Sequence, residues 1–185
     1  RDLMRLYLEA PEGVASPWFN PHTSDLMQKH YGLPLDRMTE EKALSNRFVL
    51  ERMDLIRQKV ESAPDPVFAG LQFSILGNYL DFAALQGQVS FEKLDAMLDG
   101  AFDLELDPAA YGQFCADLEK GKKLLYLTDN AGEIGFDRIF AEEIAKRYPH
   151  LEITFCVRGD VILNDATRAD AAEVGIPFPV IDNGN

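Results

Sequence analysis

The 185-residue chain reads as an α/β protein, with a helical domain over residues 1–120 and a smaller α/β domain over residues 121–185. Three observations carry this reading. Up to about residue 120, apolar positions recur at helical spacing, and Pro and Gly fall where helices start and stop. From Lys123 onward, short apolar runs rich in β-branched and aromatic residues alternate with amphipathic stretches. Strands that alternate with helices form βαβ units, and such units build a parallel sheet.

The opening stretch reads as irregular, divided into short pieces by Pro11, Pro17, Pro21 and Pro34. Ser24 is expected to cap a short helix that reaches Tyr31 and stops at Gly32. Thr39 is expected to cap the longest run, from Glu40 to Ser62, with Leu44, Phe48, Leu55, Ile56 and Val60 as its apolar stripe. Pro64 and Pro66 end that helix and open the next, whose residues 67–76 are almost wholly apolar and predict a buried helix. It runs into Gly77-Asn78-Tyr79-Leu80-Asp81-Phe82, read either as a helix stop followed by a cap or as a segment that closes over the sheet edge. Ser90 begins a helix that ends near Gly100. Asp107-Pro108 is a cap with proline at the first helical position, and that helix runs to Lys120.

In the second part, Lys123 to Thr128 reads as a buried strand. The turn Asp129-Asn130-Ala131-Gly132-Glu133 leads to a helix over about Gly135 to Arg147, with Ile139, Phe140 and Ile144 on one face. Glu152 to Val157 is the second strand. Asn164-Asp165-Ala166-Thr167 starts a helix that Gly175 stops, and Phe178 to Ile181 gives a third strand. Three strands make a small sheet and the chain ends in a turn-like Asp182-Asn183-Gly184-Asn185, so the domain is expected to be incomplete at its C-terminus.

Composition excludes several classes. With 46% hydrophobic residues the chain is not disordered, and no stretch approaches the ~18 apolar residues of a bilayer span. Thirty-one acidic residues against 18 basic give a net charge of −13. Such a surface suits neither nucleic acid nor an anionic membrane, because both need clustered Lys and Arg. Cys115 and Cys156 form no CxxC, no signal peptide is visible, and a reducing, cytoplasmic setting is expected. The three histidines lack metal-ligand spacing. No GxSxG, GxGxxG or GxxxxGK[ST] occurs, which removes the corresponding hydrolase and nucleotide-binding classes.

The chemistry concentrates after the strands. Asp129 and Asn130 sit where the first strand meets its helix, the edge at which open α/β sheets bind ligands. Alone, Asp129 also reads as a helix cap, as does Asp165 at the start of the next helix. Together they are more informative. A right-handed crossover makes the two strands parallel, so the loops after them emerge on one edge about 4.8 Å apart per strand. Two carboxylates and an amide oxygen there suit a hard divalent cation. Arg158, after the second strand, points to the same edge and reads either as a phosphate ligand or as a solvated arginine.

These segments resemble the metal-dependent damage-control phosphatases, a family once catalogued as domain of unknown function eighty-nine. The matching residues are Thr128-Asp129-Asn130-Ala131-Gly132-Glu133, then Val157-Arg158-Gly159, then Leu163-Asn164-Asp165-Ala166-Thr167 with Asp170, preceded by Gly77-Asn78 and Asp81-Phe82. The resemblance covers essentially the whole chain. It implies a helical domain followed by a Rossmann-like three-layer domain, with Asp129, Asn130 and Asp165 on a divalent metal such as Mg, Mn, Co or Ni. It places Asn78 and Asp81, with Glu133 and Arg158, on the side of a small phosphorylated metabolite. Relatives usually continue for many residues, including a lysine-glycine-asparagine segment absent here, and some prokaryotic members carry an N-terminal cysteine motif that is also absent. The implied activity is hydrolysis of phosphate monoesters such as sugar phosphates, with Asp129 and Asp165 as the catalytic pair. A covalent aspartate mechanism of the haloacid-dehalogenase type is disfavoured, because Ala131 stands where its acid/base partner belongs. Two other readings are S-adenosylmethionine-dependent carboxyl methyl transfer, for which no glycine-rich loop follows Leu127, and a non-catalytic metal-binding domain.

Overall fold

The computed structural model describes residues 1–15, 18–33, 38–85 and 91–184, with the helix backbone alone over 80–85 and 91–94. The helices are α1 (Asp2–Glu9), α2 (Phe19–Tyr31), α3 (Thr39–Glu61), α4 (Pro66–Leu85), α5 (Phe91–Asp99) and α6 (Pro108–Lys120). There follow β1 (Lys123–Leu127), α7 (Glu133–Arg147), β2 (Glu152–Val157), α8 (Arg168–Glu173) and β3 (Val180–Asp182). The three strands form a wholly parallel sheet in the order β1-β2-β3, with Leu127 opposite Cys156 and Cys156 opposite Ile181. The α/β class read from the sequence is thus observed.

α7 is the centre of the molecule. One of its sides packs on the sheet, where Phe140, Ala141 and Ile144 join Ile153 and Phe155. The other side carries Phe136 and Ile139 into a cluster with Val49, Met53, Ile56 and Val60 of α3 and Phe73 of α4. The layers therefore run sheet, α7, then α3 with α4. Each fully buried side chain of this kind contributes about 1.5–3 kcal/mol. Within the sheet, the rings of Tyr126, Phe155 and Phe178 stack across β1, β2 and the residues before β3, at 4.8 and 5.7 Å.

Gly77 permits a close approach of α4 to α7. A Cβ there would lie 2.9 Å from Phe136 Cδ2 and 3.3 Å from Glu133 Cγ. The residue is no helix stop: α4 continues through it to Leu85. A glycine inside a helix costs about 1 kcal/mol of propensity, and here the cost is repaid by the approach of α4 to α7.

Other expectations are corrected. The first 31 residues are mostly helical: α1 occupies Asp2–Glu9, and α2 starts at Phe19, not at Ser24. Gly32 ends α2 as expected, with φ +66° and its N–H donated to Gln28 O. Thr39 is the first residue of α3 and Met38 its cap position. On α3, Phe48, Ile56 and Val60 are buried as expected while Leu44 and Leu55 are exposed; Lys42, Asn46, Val49, Met53, Ile56 and Val60 follow an alternation of four and three on the buried face, with two polar members. β1 is buried on one face only, since Leu125 and Leu127 are 54% and 70% exposed while Tyr126 faces α7. Asp107 caps α6 through Ala109 N–H, with Pro108 next, as read. Pro17, Pro34 and Ser90 lie outside the described residues, as does Asn185. No helix among the described residues is long and apolar enough to cross a membrane.

Candidate functional site

The loops after β1 and β2 meet at the carboxyl edge of the sheet. Asn130 and Asp165 face each other in an isolated antiparallel bridge. Ala166 N–H donates to Asp129 O at 2.7 Å, Ala131 N–H donates to Asn164 O at 2.9 Å, and Arg158 N–H donates to Ala166 O at 2.8 Å. Asn164 Nδ2 adds a bond to Asn130 Oδ1 at 2.8 Å. The two motifs, 35 residues apart, are therefore one piece of structure. Leu163, just before the second, holds φ at +48°, a conformation that costs a side-chain-bearing residue on the order of 1 kcal/mol.

Neither aspartate is a helix cap. The cap position of α7 is Gly132, and no side chain caps it. That of α8 is Thr167, in a reciprocal capping box with Asp170. The competing explanation for Asp129 and Asp165 is removed by the way the helices start.

The carboxylates differ in company. Asp165 Oδ2 accepts from Nε and Nη2 of Arg158, each at 2.7 Å. Arg158 is thus neither free for a phosphate nor simply solvated, because it compensates Asp165. Among the described residues the Asp129 carboxylate accepts Asn78 Nδ2 alone, at 3.3 Å, and has no basic partner. Glu133 Oε2 accepts from Asn130 Nδ2 at 3.0 Å and Asn78 Nδ2 at 3.2 Å. Burial, with the charge of Asp129 added, still pushes the Glu133 carboxyl above its usual range. Asn78 arrives from α4, so the helical part does contribute to this edge. Asp81 lies one turn further on α4, and its side chain falls outside the described residues.

Two polar groups that the sequence reading did not assemble complete the frame, although it had named Asp170 of the first. Asn46, fully buried on α3, accepts Gly132 N–H at 2.7 Å and donates Nδ2 to Asp170 Oδ1 and Glu173 Oε2 at 3.1 and 2.7 Å. Gly132 needs its φ of +81°, and a Cβ there would lie 2.8 Å from Ser45 Cβ. Lys42, one turn before Asn46, pairs with Asp170 Oδ2 at 2.7 Å. Burial alone would raise the Asp170 carboxyl, but hydrogen bonds from Lys42 and Thr167 hold it below the usual carboxylate range. The available signal was two polar residues interrupting the apolar stripe of α3.

A second polar group sits one turn along α7 from Glu133. Asp137 Oδ1 accepts both Ser74 Oγ and Tyr126 Oη at 2.7 Å, and those two hydroxyls lie 3.1 Å apart. Burial drives the Asp137 carboxyl up to about 7, against the two hydroxyl donors and assisted by Glu133 and Asp129. Tyr126 is also pushed well above its ordinary value, first by burial and then by Asp137. An open cleft of about 430 Å³ beside β1 is lined by Ser74, Leu125, Tyr126, Leu127, Glu133 and Asp137.

Fold and site together define an α/β protein with paired acidic loops at the carboxyl edge of a parallel sheet. The family model for the damage-control phosphatase ARMT1-like domain matches residues 21–176, and the chain belongs to this family. It is 38% identical over 137 residues to an uncharacterized protein of Methanocaldococcus jannaschii, covering 70% of this chain and 42% of that one. It is 34% identical over 138 residues to a damage-control phosphatase of Archaeoglobus fulgidus, covering 74% and 46%. The crystal structure of a DUF89 family protein from Pyrococcus horikoshii superposes with a TM-score of 0.71 at 25% identity, covering 86% of this chain and 54% of that one. The chain spans about half the length of the curated relatives it matches.

Proposed function

We propose that the protein is a metal-dependent phosphatase that hydrolyses phosphate monoesters of small metabolites, sugar phosphates among them. The observation that carries this is the Asn130–Asp165 bridge, which joins Asp129, Asn130 and Asp165 at one edge while neither aspartate caps a helix. Among the described residues, no three His, Cys, Asp or Glu side chains form a ready metal cluster. What the edge offers instead is two carboxylates and an amide, an all-oxygen set suited to Mg²⁺, Mn²⁺, Co²⁺ or Ni²⁺ with water completing the shell.

Asp129, Asn130 and Asp165 would hold that ion, and its charge would offset the phosphoryl oxygens. The remaining roles fall to the chain itself. Arg158 fixes the Asp165 carboxylate in one orientation. Asn78 and Glu133 hold each other and Asn130, so the wall that meets the substrate is assembled before it arrives. The 15-residue α7 points its N-terminus at this edge, where its dipole favours an anion. Asp81 is assigned to the same wall on its position in α4. The acidic surface leaves nucleic acid and membranes as unsuitable partners.

The test is phosphate release from a panel of small phosphate monoesters after chelation, then after adding back Mn²⁺ or Mg²⁺. Release that depends on the added ion supports the reading. Release unchanged by the chelator would remove the metal, and no release from any ester would remove the activity.

A further inference from the structure

We propose that Asp137 is a ligand-contacting residue of the cleft beside β1, presenting a carboxylic-acid O–H there to an oxygen of the bound molecule; this rests on the phosphatase reading above.

The geometry distinguishes the two oxygens of this side chain. Oδ1 accepts both Ser74 Oγ and Tyr126 Oη. With two donors already on it, Oδ1 is the carbonyl-like oxygen, and a proton on this group sits on Oδ2. Among the described residues Oδ2 has no hydrogen-bond partner, although Asp137 is only 2% exposed. Yet no buried side-chain oxygen is sealed off unpaired among the described residues. Oδ2 therefore opens on the cleft that Asp137 lines with Ser74, Leu125, Tyr126, Leu127 and Glu133. A buried, uncompensated carboxyl aimed into a cavity is costly to keep unless something there uses it.

The rest of the wall explains what it is for. Glu133 stands one turn earlier on the same face of α7, and Asp129 lies in the loop beyond it. Both offer only acceptors. Among the described residues the groups that bear on Asp137 are Tyr126 from β1, Glu133 from α7 and Asp129 from the loop, with the Ser74 hydroxyl from α4; none of these is a cation. Phosphoryl and hydroxyl oxygens of a phosphate ester need donors as well as acceptors. A protonated Asp137 supplies one where a carboxylate would repel. Its displacement up to about 7 keeps much of that proton in place at neutral pH.

Two measurements on the full chain test this. The first is a ¹³C carboxyl titration by NMR, assigned by its loss in Asp137→Asn. One carboxyl is expected to titrate near neutrality, and ribose 5-phosphate added in the presence of Mg²⁺ is expected to shift its midpoint upward relative to Mg²⁺ alone, because the ligand favours the protonated form. The second is KM against pH for the same ester. In the natural protein KM rises severalfold as pH climbs through about 7 and the donor is lost. Asp137→Asn, whose amide is a permanent donor, loses that rise relative to the natural protein. A carboxyl midpoint unmoved by the ester, or the same KM rise in Asp137→Asn, would overturn the proposal and leave Asp137 as a packing residue while the phosphatase reading stands. Absence of any ester hydrolysis by the natural protein would overturn both, and the unmutated protein alone reports that.

Discussion

Asp170 on α8 and Asp137 on α7 are almost equally buried, at 5% and 2% exposure, yet their surroundings are opposite. Asp170 has Lys42 at 2.7 Å, the Asn46 amide and a capping box with Thr167. Asp137 has two hydroxyls and, among the described residues, no cation. The first carboxyl is held low and the second is driven up to about 7. A carboxylate that only braces a loop is best kept charged and fully paired. One that keeps a proton is suited to handling it. The α3–α8 side of the site is thus the brace, and under the function proposed above the α4–α7 side is the working wall.

The sharpest way to break this comparison is Lys42→Ala. It leaves Asp170 buried without its cation and is expected to cost about 3–5 kcal/mol, read by urea denaturation. A loss below 1 kcal/mol would mean that the brace is not electrostatic. Asp137→Asn is expected to act in the other direction, and only at higher pH. The folded carboxyl titrates at about 7 against 3.8 unfolded, so the native state binds the extra proton between those values. Stability contributed by that proton is therefore present at low pH and declines as pH rises through about 4 to 7. The variant does not titrate there, so melting at pH 5 and pH 8 should show it gaining on the natural protein by on the order of 1–3 kcal/mol. Equal pH dependence of the two proteins would remove the contrast. Gly77→Ala should cost about 1–2 kcal/mol, because its Cβ must displace Phe136 between α4 and α7. Thermal melting reads this, and an unchanged midpoint would show that α4 can shift freely away from the wall.

Much of this was legible in the sequence where the signal is local. β2 was read at its observed limits and Asp107-Pro108 as the cap it is, because strand composition and cap chemistry act within a few residues. The meeting of Asp129 and Asn130 with Asp165 at one edge follows from parallel βαβ geometry. What was not legible depends on which faces meet. Leu44 and Leu55 are apolar and correctly spaced, but the core takes the face that Lys42 and Asn46 share. Gly77 looked like a stop, because a close helix contact and a helix end use glycine for different reasons that leave the same letter. Asp137, Ser74 and Tyr126 come from three elements, and no spacing rule joins them.

The most direct test of the central claim, that the bridged loops hold the working ion, is Asp129→Ala assayed for Mn²⁺ binding by calorimetry and for phosphate release on the same sample. Asp129 caps no helix and carries one long hydrogen bond, so stability should change by less than about 1 kcal/mol. Mn²⁺ affinity should fall at least about tenfold and phosphate release at least about a hundredfold. Mn²⁺ binding and phosphate release that stay near those of the natural protein would contradict the account.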